Sequence, residues 1–220
     1  MNESVNASCV LIGVGGHAVV LLEALLAADR AVPAIGLDGD AELHGAVQQG
    51  VRIVGGDDML PEMPRLGITH FVLGVGTGSD TATRRRLFEN ARAAGLNPLD
   101  VRHPSSLCSP SAELGPGIQL LARGVVNAQA ELGESVLVNT AAIVEHHCVV
   151  EDHVHLATGA ILCGGATVRS GALIGAGAII KHGVVVGRNA VVGAGAVVID
   201  DVADDAVVAG IPARRIERSR

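Results

Sequence analysis

Apolar residues in this chain follow two different periods. Between residue 7 and about residue 104, short apolar runs alternate with longer segments of helical spacing. ASCVLIG predicts a strand ending in glycine, and HAVVLLEALLAADR, apolar on a helical spacing, predicts a helix. PAIGLDGD predicts a second strand with acidic residues at its carboxyl end, and THFVLGVG another strand. SDTATRRRLFENARAAG predicts a polar-faced helix closed by Gly95. Alternating strand and helix predict a parallel sheet with helices packed against it.

From Leu114 the period becomes six. Stepping in sixes from Leu114 to Val198 meets fifteen aliphatic residues with no slip. The position four residues after each, from Ile118 to Ala196, with Ala112 ahead of the first, is small or apolar throughout. A short fixed period means a solenoid, in which each repeat buries its apolar side only by stacking on its neighbours. Six residues suit one short strand and a corner, and three hexads close an 18-residue triangular coil, so five coils are expected. The large aliphatic is expected to fill the interior and the small residue to sit where the corner tightens. Glycine directly after the aliphatic (Gly115, Gly133, Gly175, Gly187, Gly193) is expected to ease those corners. Ordering so much backbone outweighs what fifteen aliphatics contribute. Backbone ladders and subunit contacts must supply the rest, so oligomerisation is expected.

Composition narrows the core and the partners. Hydrophobic residues make up 49% of the chain, yet its only aromatics are Phe71 and Phe88, so the core is built of small and branched side chains. The reading is an α/β unit over residues 1–104, with a Rossmann-like parallel sheet, followed by an all-β parallel helix over 105–220. A formal charge of −7 argues against a nucleic-acid surface, which needs clustered Lys and Arg. Cys9, Cys108, Cys148 and Cys163 form no CxxC pair or zinc-finger spacing and read as small hydrophobes in a reducing compartment. MNESVNASCVLIG lacks the basic region and apolar run of a signal peptide, and no stretch of about 20 apolar residues spans a membrane. A cytoplasmic protein is expected.

Candidate chemistry concentrates in IVEHHCVVEDHVHL, residues 143–156, which holds His146, His147, His153 and His155. The hexad register places Val144, Cys148, Val150, Val154 and Leu156 inward and none of the histidines. That leaves either solvated surface or a functional groove.

The hexad pattern closely resembles the left-handed β-helix of the hexapeptide-repeat acyltransferases, and the left hand is implied by that resemblance. It also implies a homotrimer with acetyl-CoA in the groove between neighbouring prisms. VNTAAIVEHHCVVEDHVHLATGAILCGGATV is similar to the central motif of the NeuD/PglD-type sugar O- and N-acyltransferases. In that branch Asn-Thr is followed by one His seven residues after the Asn and another nine further on, here Asn139, His146 and His155. The resemblance implies that His146 is the general base, a role suited to an imidazole near working pH. It implies that His155 hydrogen-bonds acetyl-CoA near the thioester and that Asn139 shapes the same site. The family usually has Glu or Asp directly after the catalytic His, where this chain has His147. His147 as a neutral acceptor, or Glu145 on the other side, is then the candidate to orient the base, and His147 is itself an alternative base. His153 fits no family position and is expected to be solvated.

Two coils separate His146 from His182, with Gly164 between them in the column. Hexapeptide-repeat carbonic anhydrases place zinc on such a column, but their third ligand would fall at Gly187, so no metal is expected. Gly164 instead suits close passage of a pantetheine arm. The resemblance places acetyl-CoA along backbone amides near Gly164, Ala176 and Ala194. AGIPARRI resembles the family's terminal segment, in which Arg214 or Arg215 meets CoA phosphates or forms a basic surface tail.

GVGGHA, from Gly13 to Ala18, follows a strand and opens a helix, with Ala18 in the third glycine's place and Asp38 ending the next strand. Glycines there let backbone approach a pyrophosphate at a helix N-terminus. Taken alone the motif suggests NAD. In the resembling family GxGGHA binds the nucleotide of a sugar nucleotide, which assigns Gly13, Gly15, Gly16, His17 and Asp38 to that ligand, with the Gly74–Gly78 loop completing the pocket. The resemblance thus implies an acetyl-CoA-dependent N-acetyltransferase in which the amine of a nucleotide-linked sugar attacks directly. O-acetylation of a sialic-acid-type sugar and a non-catalytic NAD-binding or assembly module are the alternatives.

Overall fold

The structure, a computed structural model, describes residues 8–30, 32–78 and 80–217. The extreme amino terminus, part of the stretch read above as lacking a signal peptide, lies outside them. Among the described residues no helix is long and apolar enough to cross a membrane. Two compact units result: one takes the chain up to Gly76 and again over Arg86–Val101, the other Thr77–Arg85 and the chain from Arg102 onward.

The first unit is built on six strands: β1 Cys9–Ile12, β2 Ile35–Leu37, β3 Val47–Gln48, β4 Val51–Gly55, β5 His70–Leu73 and β6 Asn97–Pro98. They lie in the order β3-β4-β2-β1-β5-β6, parallel except for the β3–β4 hairpin. Central β1 is buried along its whole length, which is why it reads as an unbroken apolar run rather than an alternation. Phe71 on β5 meets Phe88 edge to face, centroids 5.3 Å apart. The expected helices are α1, Gly16–Ala27, and α2, Ala82–Ala93. Gly95, at φ 87°, closes α2 with bonds from its N–H to Arg92 O and from Leu96 N–H to Ala91 O. The sequence reading passed over the β3–β4 hairpin, whose turn residues Gln49 and Gly50 both take positive φ, as a tight two-residue hairpin needs.

The second unit is a parallel β-helix of two-residue strands in three sheets. Strands up to Ile179–Ile180 pair with the one 18 residues on, Val126 with Val144, Val144 with Leu162, Leu162 with Ile180, Ile180 with Val198, and the last coil shortens the step to 16, Val192 with Val208. These side chains form a buried aliphatic column, and the small members Ala142, Cys148, Ala160 and Ala166 are buried inward beside them.

The corners differ from expectation. Left-handed φ recurs every six residues, three after each aliphatic: Arg123, Gln129, Ser135, Ala141, His147 and His153 at 56–60°, then Gly159, Gly165, Gly171, Gly177 and Gly183. The inward small residue does not make the turn. Nor do the glycines after the aliphatics ease it. A Cβ on Gly115 would lie 2.6 Å from the Gly133 carbonyl carbon, and one on Gly175 2.6 Å from Ala194 N. Those glycines let successive coils stack.

The three faces are unlike one another. Outward residues Gln119, Leu137, His155 and Leu173 of one sheet are all buried. Leu107, Val125, Ile143, Ile161, Ile179 and Val197 make a wholly aliphatic second face, with Leu107 56% and Ile179 37% exposed. The third presents Glu113, Glu131, Val149, Thr167 and Val185.

Candidate active site

His146 and His147 occupy the two turn positions of one corner, just after the Ile143–Val144 strand, and both are exposed. His147 has φ 59°, a conformation in which His, Asn and Asp are enriched. Its N–H donates to Ala128 O on the coil before, and Gly165 N–H donates to His146 O from the coil after, so the corner is pinned on both sides. The rings stand nearly perpendicular, 87°, with His146 Nδ1 3.0 Å from His147 Nδ1. Glu145 points elsewhere. Its Oε2 accepts from Asn127 Nδ2 at 3.1 Å and from the His146 backbone N–H at 3.3 Å. Asn127 is a residue the sequence reading missed, and it stands one coil, 18 residues, before Glu145.

Gly164 is buried directly beneath the His146 ring, since a Cβ there would lie 2.5 Å from His146 Cε1. The His146 ring therefore occupies the space in which a side chain at position 164 would stand. His182 approaches the next residue, with its Cε1 3.6 Å from where a Gly165 Cβ would stand.

His155 is outward, as the register requires, yet only 6% exposed. Asn139 Nδ2 lies 3.3 Å from its Nε2, and Asn139 Oδ1 accepts the Thr140 N–H at 2.7 Å. That backbone bond fixes which way the amide faces. Its NH2 therefore points at the ring, Nε2 accepts, and Nδ1 carries the proton toward Thr77 Oγ1, the hydroxyl it meets. Thr77 belongs to the same compact unit, and Thr81 Oγ1 donates to Gly171 O at 2.6 Å nearby in sequence. The sequence reading included Thr77 only as part of the Gly74–Gly78 loop. His153, expected to be solvated, is 7% exposed: it fills a left-handed corner, its N–H donating to Glu134 O and its Nε2 3.8 Å from Glu134 Oε1. An outward position is not necessarily a wet one.

Ala176 and Ala194 are exposed at corners of later coils. Arg214 pairs in a hairpin with Ala209, donates to Ala213 O at 2.8 Å and lies 3.8 Å from the exposed Asp200 carboxylate.

In the first unit the glycines of the loop divide by role. Gly13, at φ 84°, packs so tightly that a Cβ would meet Val75 Cγ2 at 2.3 Å, and one on Gly74 would meet Gly13 O at 2.0 Å. Gly15 and Gly16 face open space at the amino end of α1, where no side chain caps the helix and no acid occupies its first turn. His17 lies close to Gly76. Asp38 accepts Val14 N–H at 2.8 Å through one oxygen and Asp40 N–H at 2.9 Å through the other, so its carboxylate braces the glycine loop. Among the described residues no group of three or more His, Cys, Asp or Glu is placed to hold a metal ion.

Known proteins share this architecture. The family model for bacterial transferase hexapeptide (six repeats) matches residues 165–200. A histidine-to-alanine variant of GDP-perosamine N-acetyl transferase from Caulobacter crescentus, solved with CoA and GDP-perosamine, is 34% identical over 97% of this chain and 98% of its own, TM-score 0.89. The acetyltransferase domain of PglB from Neisseria gonorrhoeae FA1090 is 33% identical over 96% of this chain and 100% of its own, TM-score 0.86. This chain belongs to the NeuD/PglD-type sugar acyltransferases. WeeI from Acinetobacter baumannii AYE, 23% identical over 96% of this chain and 100% of its own with TM-score 0.83, shares the fold. As a member of the NeuD/PglD type, the chain is an acetyltransferase whose helix is the left-handed one of hexapeptide-repeat enzymes.

Proposed function

We propose that this sugar N-acetyltransferase moves the acetyl group of acetyl-CoA onto the amino group of a nucleotide-linked amino sugar, with His146 as general base. Support comes from the exposed His146 ring at the motif position, in a chain similar along its length to an enzyme solved with CoA and GDP-perosamine. The amine nitrogen attacks the thioester carbonyl while His146 Nε2 takes its proton. The tetrahedral oxyanion collapses, the C–S bond breaks, and the proton passes from His146 to the leaving CoA thiolate.

His155, buried, and the half-buried Asn139 are assigned to the acetyl-CoA side of this site, and a cofactor reaching the His155 ring must displace Thr77 or Asn139. Ala176 and Ala194 offer exposed backbone for the rest of CoA, and Arg214, once it leaves Asp200, offers a cation for its phosphates. The nucleotide diphosphate is assigned to the amino end of α1, where Gly15 and Gly16 leave room for close backbone approach and Gly13, His17 and Asp38 shape the loop. The chain is expected to work as a homotrimer.

Incubation with acetyl-CoA and a panel of GDP-, UDP- and dTDP-linked 4-amino sugars, followed by thiol release, tests this reading. Turnover with at least one amino sugar, abolished in His146→Asn while calorimetric CoA affinity stays intact, is the expected result. Tight NAD binding without CoA binding would overturn it.

A further inference from the structure

The corner that carries the base departs from the family pattern in a way that fixes its proton arrangement. Two Nδ1 atoms 3.0 Å apart form a hydrogen bond only if one of them carries the proton. A general base at His146 must keep Nε2 bare, so its Nδ1 holds the proton and donates it. His147 Nδ1 is then the acceptor, and the His147 proton sits on Nε2. We infer that His147 is a positioning residue: a neutral imidazole acceptor that replaces the usual carboxylate and holds His146 in its Nδ1–H tautomer.

This inference rests on His146 being the base and adds a second requirement to it. When His146 takes the amine proton, its Nδ1–H becomes the donor of a charge-assisted bond to His147, which stabilises the imidazolium without a buried negative charge. Glu145 does not compete for the ring, because its carboxylate is held by Asn127 and by the His146 backbone. Glu113 and Glu131 share with His147 a cavity of about 330 Å³ together with Ser111, Gln129 and Val149. His182, two coils on from His146 in the same column, sits by Gly165.

Backbone preference gives the test its discrimination. At φ 59° glycine and asparagine are both at ease, but only asparagine brings an acceptor oxygen. If His147 merely suits the corner, His147→Gly and His147→Asn behave alike. If it accepts from His146, His147→Gly loses kcat by about tenfold or more with KM for acetyl-CoA little changed. His147→Asn then recovers most of that loss. His147→Asp supplies a carboxylate that favours the His146 imidazolium, so the acid limb of kcat/KM moves to higher pH than in the unsubstituted enzyme.

The four variants, with His146→Asn among them, are compared for melting temperature, kcat, KM and pH profile in the full-length enzyme. Equal kcat in His147→Gly and His147→Asn overturns the positioning role. An active His146→Asn overturns the base assignment itself, and an inactive His147→Gly beside it would make His147 the base.

Discussion

Gly164 and His146 show how one hydrogen atom in place of a methyl group makes room for a ring, the one proposed above as the base. Gly164 does not have left-handed φ, so alanine fits its backbone. Its Cβ would nevertheless stand 2.5 Å from the His146 ring. Gly164→Ala is expected to lower kcat by about 10²-fold, the scale of an ångström-sized misplacement, while melting temperature and CoA affinity change little. Thr77→Val removes the acceptor facing His155 Nδ1 and is expected to cost about 1 kcal/mol in chemical denaturation. At this scale the sequence was informative about which residues line the motif but not about their surroundings. Period two tells which side of a strand His155 leaves from; what covers that side comes from residues such as Thr77, 78 positions away. His153 was misjudged for the same reason.

The repeat is the element that the sequence exposes most fully, because each inward residue meets its own counterpart 18 residues on. Ile174 is buried between Leu156 and Val192, and neither neighbour can move without breaking its own stack. Ile174→Ala is expected to destabilise the helix by about 2–5 kcal/mol in denaturant titration. Glycine after the aliphatic was legible as a pattern and wrong as an explanation, since the spacing between coils is not written in any one hexad. The β3–β4 hairpin escaped notice because β3, with two residues, leaves no period to read. Between coils, Glu151 accepts from Ser170 N–H and Oγ–H at 2.9 and 2.8 Å. Burial pushes the Glu151 carboxyl up, but the Ser170 bonds with Arg188 and Arg169 outweigh it and hold the carboxyl below its usual range. Its stabilising effect is therefore present above the unfolded-state value and lost as pH falls through the folded one. Ser170→Ala should shift the acid-unfolding midpoint to higher pH, as followed by circular dichroism.

For the whole molecule, the three faces of the prism carry different chemistry. The aliphatic face from Leu107 to Val197 leaves Ile179 and Leu107 partly in water, the pattern of a surface that is covered by another copy. Ile179→Glu is expected to shift the proposed homotrimer to monomers in analytical ultracentrifugation while leaving the circular dichroism of the helix unchanged. The oligomer expectation arose from an imbalance in the repeat's energetics, and the outward residues now suggest which side answers it. That assignment needed the structure, because the hexad register separates inside from outside but does not rank three outsides.

The uninterrupted step of six also limits how this chain can change in length. Losing one residue inside the helix would turn every following aliphatic out of its column, and losing six would hand each strand to the wrong sheet. Removing or adding eighteen restores every partner one storey up or down. For this helix, then, the heritable unit of insertion and deletion is a complete coil, and related chains should differ in height by whole storeys.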